Sequence, residues 1–135
     1  MARLLDTNIW IDLTRRRSSA GLKKFILPHV LHPEACVAEP IIFEVLRSAA
    51  DEESVLLARY FNSLPVLATP SDVWTTALEL GRACRRSGYT AGGIDLLIAA
   101  VAVRHQAELV TFDADFQKIA DESALKLHLL KRPGG

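Results

Sequence analysis

Apolar residues along this chain fall into two rhythms. Short apolar runs, "RLL" (3 to 5), "ACVA" (35 to 38), "ELVTF" (108 to 112) and "LKLHLL" (125 to 130), have the length of buried strands. The stretches between them carry helical spacing. "DTNIWIDLTRRR" offers Asp or Thr caps followed by Ile9, Trp10 and Leu13, and "AGLKKFILPHVL" reads as a helix ended near Pro28. Pro40 fits the first turn of a helix running to about Ala50. "DEESVLLARYFNSL" opens with acids suited to a helix N-terminus and continues with Val55, Leu56, Tyr60 and Phe61, a surface helix. Thr69, Pro70 and Asp72 form a capping-box-like start for a helix with Val73, Trp74, Ala77, Leu78, Gly81 and Cys84 on one face, stopped by Gly88. The segment "GGIDLLIAAVAV" (92 to 103) predicts a buried helix, and Ala114 begins a short one.

Short apolar strands alternating with longer helices predict an α/β fold, a sandwich of helices on both faces of a mostly parallel sheet. With half of its 135 residues hydrophobic and no repeat or linker, the chain reads as a single domain over 1–135; only "KRPGG" at the end looks loose. Sixteen basic residues balance sixteen acidic ones, so any polyanion site must be local. Cys36 and Cys84 match no thiol or zinc spacing, which suits a reducing compartment and a cytoplasmic location. A membrane helix needs about 20 apolar residues, and the longest apolar segment is half that.

One feature of that segment is out of place for burial. From Ile94 to Val103 every residue is apolar except Asp95. In a parallel α/β sheet, sites form at the carboxyl ends of the strands. Asp6 and Asp113 each follow a predicted strand, Glu44 lies about one turn into the helix after "ACVA", and Asp95 opens the helix leading into "ELVTF". All four are therefore expected on one rim. Each has a plainer explanation: caps for Asp6 and Asp95, a surface glutamate paired with Arg47 for Glu44, and an Asx turn for Asp113 and Asp115. Chance capping does not explain their shared placement. Converging carboxylates repel unless a cation lies between them. An all-oxygen set without His or Cys suits Mg²⁺ or Mn²⁺ rather than zinc, and such ions support phosphoryl transfer or phosphodiester hydrolysis.

In order, "LLDTNIWIDL", "IIFEVLRS", "GGIDLLIAAVAV" and "LVTFDADF" resemble the PIN domain, and most closely the VapC toxins of type II toxin–antitoxin pairs. The resemblance spans nearly the whole chain. It implies a PIN-like three-layer α/β/α sandwich and a Mg²⁺- or Mn²⁺-dependent endoribonuclease, with Asp6, Glu44, Asp95 and Asp113 as catalytic, metal-holding acids and Asp115 as an extra member. It further implies that Thr7, Asn8 and Thr111 orient the carboxylates or water, and that the protein is a homodimer inhibited by a VapB-type antitoxin. "FEVLR" stands where many relatives have a Glu-Leu pair.

Local basic clusters are candidates for holding RNA phosphates: Arg15, Arg16 and Arg17 with Lys23 and Lys24, and Arg82, Arg85 and Arg86 shortly before Asp95. Trp10, Trp74, Phe43 and Phe61 read as core or dimer-interface residues rather than base-stacking platforms. His29, His32 and Cys36 lack a fourth ligand for zinc. Three competing readings remain: a haloacid-dehalogenase-like phosphatase, for which Asn8 stands where a second Asp is needed; a receiver domain, which lacks a second acid beside Asp6; and a PIN fold that only binds RNA or a partner.

Overall fold

The computed structural model describes residues 1–134, so Gly135 of the expected loose end lies outside the described residues. In chain order the elements are β1 (Arg3–Leu5), α1 (Thr7–Thr14), α2 (Ala20–Val30), β2 (Ala35–Ala38), α3 (Glu39–Ser48), α4 (Asp51–Ser63), β3 (Val66–Leu67), α5 (Asp72–Arg86), α6 (Gly93–Arg104), β4 (Glu108–Thr111), α7 (Phe116–Asp121) and β5 (Lys126–Leu129). The strands form one five-stranded sheet in the order β3-β2-β1-β4-β5, with every pairing parallel.

This order fixes where the crevice lies. From β1 the chain steps outward through β2 to β3, then returns across the sheet to β4 on the other side of β1. Right-handed crossovers then put α1 to α4 on one face and α5 to α7 on the other. The packing agrees: α1 contacts α2, α3 and α4, while α6 contacts α5 and α7. Between β1 and β4 the direction of winding reverses, which opens a crevice at their carboxyl ends.

Burial follows from composition. Leu4, Leu5, Val37, Leu109 and Val110 on the strands are fully covered, as are Trp10 and Ile9 of α1 and Ile98 to Ala102 of α6. Each large aliphatic side chain taken out of water contributes about 1.5–3 kcal/mol. Trp10 packs edge-on against Phe61, with centroids 5.0 Å apart, and donates its indole N–H to the Leu5 carbonyl at 3.2 Å. The alanines at 99, 100 and 102 let α6 sit close to its neighbours. At Gly81 of α5, an added Cβ would lie 3.0 Å from the end of the Leu96 side chain of α6, so any larger residue there requires Leu96 to shift by a few tenths of an ångström.

Several expectations require correction. Helix α2 continues through Pro28 to Val30; the missing N–H takes the intrahelical partner from the Lys24 carbonyl, but both residues are exposed, so water can take its place. Helix α5 starts after Ser71 with no side-chain cap, so Thr69 and Asp72 do not form the expected box. Its buried stripe is Val73, Ala77, Leu80 and Cys84; Trp74 and Leu78 lie one step around the helix and are 62% and 55% exposed. On α4, Leu57 and Phe61 are buried whereas Val55 and Leu56 face out. The two-residue β3 is too short to stand out in the apolar pattern. Gly88 ends α5 as expected, at φ +88°. The tail is held through Arg132, whose guanidinium donates to buried Asp12 at 2.7 Å and lies 4.5 Å from the centre of the Phe112 ring.

Close packing of α6 has a measurable consequence. Ala100→Leu should lower stability by about 1–3 kcal/mol in urea unfolding, because the site has no room for three more carbons. An unchanged midpoint would mean that α6 is loosely seated.

Candidate metal and phosphodiester site

Each acid reaches the crevice by a different local route. Asp6 ends β1 and caps α1: its Oδ1 accepts the Thr7 N–H at 2.8 Å. The capping explanation is therefore correct, but the same carboxylate turns its other oxygen into the crevice wall, where Oδ2 accepts the Thr111 hydroxyl at 2.6 Å. Asp95 sits in the first turn of α6, with Gly92 rather than Asp95 at the cap position. Glu44 lies on the cleft-facing side of α3 and accepts a short hydrogen bond from the Thr7 hydroxyl, not an ion pair from Arg47. Asp113 follows β4, and its Oδ1 accepts the Asp115 N–H at 2.9 Å, an Asx turn that orients the carboxylate.

These four acids line one cleft of about 310 Å³, together with Thr7, Asn8, Ile11, Arg47 and Ser48. Asp115 is exposed and outside that lining, at the cap position of α7. Its charge is still felt at Asp95. Among the described residues, no three His, Cys, Asp or Glu side chains close around one point as a finished cage.

Thr111 and Asn8 form the brace behind the acids. The Thr111 hydroxyl donates to Asp6 and accepts from the Asn8 amide at 3.3 Å and from the Asp113 N–H at 2.9 Å, so all three of its hydrogen-bonding positions are used. Asn8 also accepts the Phe112 N–H at 3.3 Å, tying the loop after β1 to the loop after β4. Asn8 is thereby a connector rather than a second acid, and the phosphatase and receiver readings lose the position they need.

The electrostatics follow from this crowding. Asp6 is pushed up to about 7, first by burial and then by the charges of Asp95 and Glu44, although the Thr111 and Thr7 hydrogen bonds hold it down in part. Asp95 is pushed up to about 6 by burial and by Asp113, Glu44 and Asp115. Tyr89, on the loop before α6, is raised by its own burial and by the charges of Asp115, Asp95 and Asp113; it lines a separate depression, with Lys118 4.6 Å over its ring.

The basic clusters divide. Arg82, Arg85 and Arg86 are exposed and line one depression at the end of α5. Arg82 and Arg85 continue into a groove whose far wall includes Thr90, Ala91 and Leu96, directly before and beside Asp95. Arg15 lines a smaller hollow that shares Ile11 and Ser48 with the acidic cleft, while Arg16 and Arg17 point to solvent. Lys23 is half-buried on α2 and Lys24 exposed, neither in the cleft. His29, His32 and Cys36 do not converge: His29 faces Arg3, His32 accepts the Glu34 N–H, and Cys36 is buried in β2. Of the four aromatics expected in the core or a dimer interface, Trp10 and Phe61 are buried in the core, whereas Phe43 and Trp74, 58% and 62% exposed, lie at the surface. Arg47 as a cleft residue was missed; its spacing of three from Glu44 on one helix was the available signal.

Comparison with known proteins bears on the whole arrangement. Residues 3–122 match the PIN domain family. Ribonuclease VapC11 of Mycobacterium tuberculosis and a VapC ribonuclease of Mycobacterium bovis are each 37% identical over 123 residues, covering 87% of this chain and 90% of theirs. Among solved structures, VapBC2 of Rickettsia felis bound to a promoter DNA fragment aligns with a TM-score of 0.74 at 21% identity, over 96% of this chain and 98% of that one. VapC20 of Mycobacterium tuberculosis, a sarcin-ricin loop cleaving toxin, aligns at 0.70 and 19% identity over 93% and 99%. Fold, cleft and sequence likeness agree: the chain belongs to the PIN-domain family, among its VapC ribonucleases.

Proposed function

We propose that this chain is the toxin of a type II toxin–antitoxin pair, an endoribonuclease that hydrolyses RNA phosphodiesters with the help of Mg²⁺ or Mn²⁺. The observation that carries this reading is the meeting of Asp6, Glu44, Asp95 and Asp113 in one cleft at the point where the sheet reverses its winding. A binding-only PIN domain would have no use for four acids held together at that electrostatic cost. The donor set fits a hard divalent ion, since it is all oxygen and two of its members, Asp6 and Asp95, resist ionisation through burial and the charges of neighbouring acids. When bound, such an ion would activate water and neutralise charge on the attacked phosphate and leaving oxygen.

The chain's own residues have distinct tasks in this scheme. Asp6 and Asp95 would hold the ion, with Glu44 and Asp113 completing the set of acids on the same cleft. Thr7 orients Glu44, and Thr111 with Asn8 holds Asp6 and Asp113 in register. Asp115 fixes the turn that aims Asp113 and adds negative charge at the rim. Arg82, Arg85 and Arg86, with Arg15, Arg16 and Arg17, attract the RNA backbone on either side. Partners in this reading are a VapB-type antitoxin and a second copy of the chain; exposed Trp74 and Leu78 on α5 support an interface there. Among the described residues no helix is long and apolar enough to cross a membrane.

Expression in a host lacking the antitoxin, followed by mapping of RNA ends, tests the activity. Growth arrest with discrete new ends is expected from the parent and not from Asp95→Asn. Purified Asp6→Asn and Asp95→Asn should lose at least about a hundredfold in cleavage rate while keeping the parent's circular dichroism; full activity in both would remove the assignment.

Stability against pH gives an independent check. An acid whose pKa is raised by folding keeps its proton in the folded state after the unfolded chain has lost it, so its contribution is complete below about pH 4 and is lost as the pH rises through about 6 to 7. In EDTA, Asp95→Asn should therefore be more stable than the parent at pH 8, on the order of 1 kcal/mol after solvent screening, and equal to it near pH 4. Mg²⁺ or Mn²⁺ should raise the parent's Tm at pH 8 and leave that of the variant nearly unchanged. A pH-independent difference between the two proteins would contradict the crowding of charge.

A further inference from the structure

The acidic cleft contains one basic side chain that the quartet does not explain. Arg47 lines it beside Glu44, and it is the only cationic residue in that lining. An arginine three residues after a glutamate on a helix ordinarily pairs with it. Here Glu44 is engaged by the Thr7 hydroxyl instead, and among the described residues no carboxylate lies within ion-pair distance of Arg47. The guanidinium is placed 5.7 Å over the ring of Phe43, one turn earlier on α3. Phe43 is 58% exposed, so burial does not account for an aromatic at that position.

A π face restrains a guanidinium without neutralising it. Arg47 is thus held near the acids with its hydrogen-bond donors unspent. Its neighbour Ser48 also lines the cleft, but the Ser48 hydroxyl is turned to the Glu44 and Val45 carbonyls at 3.4 and 3.3 Å. Of the two, only Arg47 offers free donors. A planar fork with several N–H groups matches two oxygens of one phosphate. A phosphodiester delivered to the acids brings its neighbouring phosphates along the same strand, and these receive no countercharge from an ion held by the quartet.

We infer that Arg47, steadied on Phe43, is an RNA-backbone anchor that grips a phosphate next to the scissile one and so positions the strand over the acids. This rests on the ribonuclease reading and adds to it a positioning residue on α3, on the opposite side of the cleft from the arginines of α5. Arg47 is exposed, so its replacement does not threaten the fold.

The test uses the full chain carrying Asp95→Asn, to prevent cleavage, with a fluorescein-labelled single-stranded RNA of mixed sequence and Mg²⁺ over a series of salt concentrations. Adding Arg47→Ala should weaken binding about tenfold and make the slope of log affinity against log salt shallower by about 0.7, the loss of one phosphate contact on a single strand. Arg47→Lys should keep the slope while losing part of the affinity, and Phe43→Leu should weaken binding with the slope retained. In the otherwise unaltered chain, Arg47→Ala should leave the Mg²⁺-induced rise in Tm intact. Unchanged affinity and slope in Arg47→Ala would overturn the inference while leaving the ribonuclease reading standing. Loss of the Mg²⁺ effect would also overturn it, since Arg47 would then be shaping the acid cluster. Absence of RNA binding in the Asp95→Asn parent as well as in the chain with all acids intact would remove both.

Discussion

The burial of carboxylates together in one crevice, where lost hydration and then mutual repulsion oppose their charge, is the constraint around which this protein is organised. Burial is the largest cause that disfavours the charge on Asp6 and Asp95, and nearby acids add to it, Asp95 and Glu44 at Asp6 and Asp113, Glu44 and Asp115 at Asp95. A chain selected only for stability would place an Asn or a Ser at these points. Retaining four acids costs folding free energy that the core must offset, and a divalent cation is the simple agent that turns the cost into binding energy. The site is thus destabilised before it is loaded, which is the condition for gripping a cation firmly.

The rest of the fold keeps the acids from moving apart. Strands β1 and β4 are adjacent and parallel at the centre of the sheet, so Asp6 and Asp113 start from backbone that cannot spread. The Asp6 N–H itself donates to the Val110 carbonyl at 2.9 Å, extending the ladder to the edge of the crevice. Thr111 sits between the two acids as a shared hydrogen-bonding hub, and Asn8 locks the two loops together. Asp95 is fixed differently, through the rigid apolar body of α6. A charge at the tip of a well-packed helix cannot retreat into solvent without dragging the core with it.

Much of this was readable from residues. The strands other than β3, the sequence of helices and the convergence of the quartet all follow from apolar spacing plus the rule that crossover helices begin at the carboxyl edge. The signal failed where two side chains of similar hydrophobicity occupy adjacent positions on a helix. Trp74 and Val73 are equally apolar on paper, yet only Val73 turns inward, because 73, 77, 80 and 84 complete a stripe that 74 and 78 do not. Pro28 does not end its helix, because the carbonyl that it deprives of a partner belongs to an exposed turn. The brace of Thr111 and Asn8 joins residues 103 apart and is beyond any local pattern. Arg47 was visible only as a pairing partner, and its freedom depends on Thr7 having claimed Glu44.

Function therefore rests on geometry that the alternating elements make almost unavoidable and on polar contacts that they do not specify. The central claim is that the quartet is a divalent-cation site, and anomalous diffraction at the manganese edge from crystals soaked in Mn²⁺ near pH 8 tests it most directly. The account predicts an anomalous peak between the carboxylates of Asp6 and Asp95, within reach of Asp113 or Glu44. A cleft without a peak, in crystals where Mn²⁺ is bound elsewhere or not at all, would contradict it.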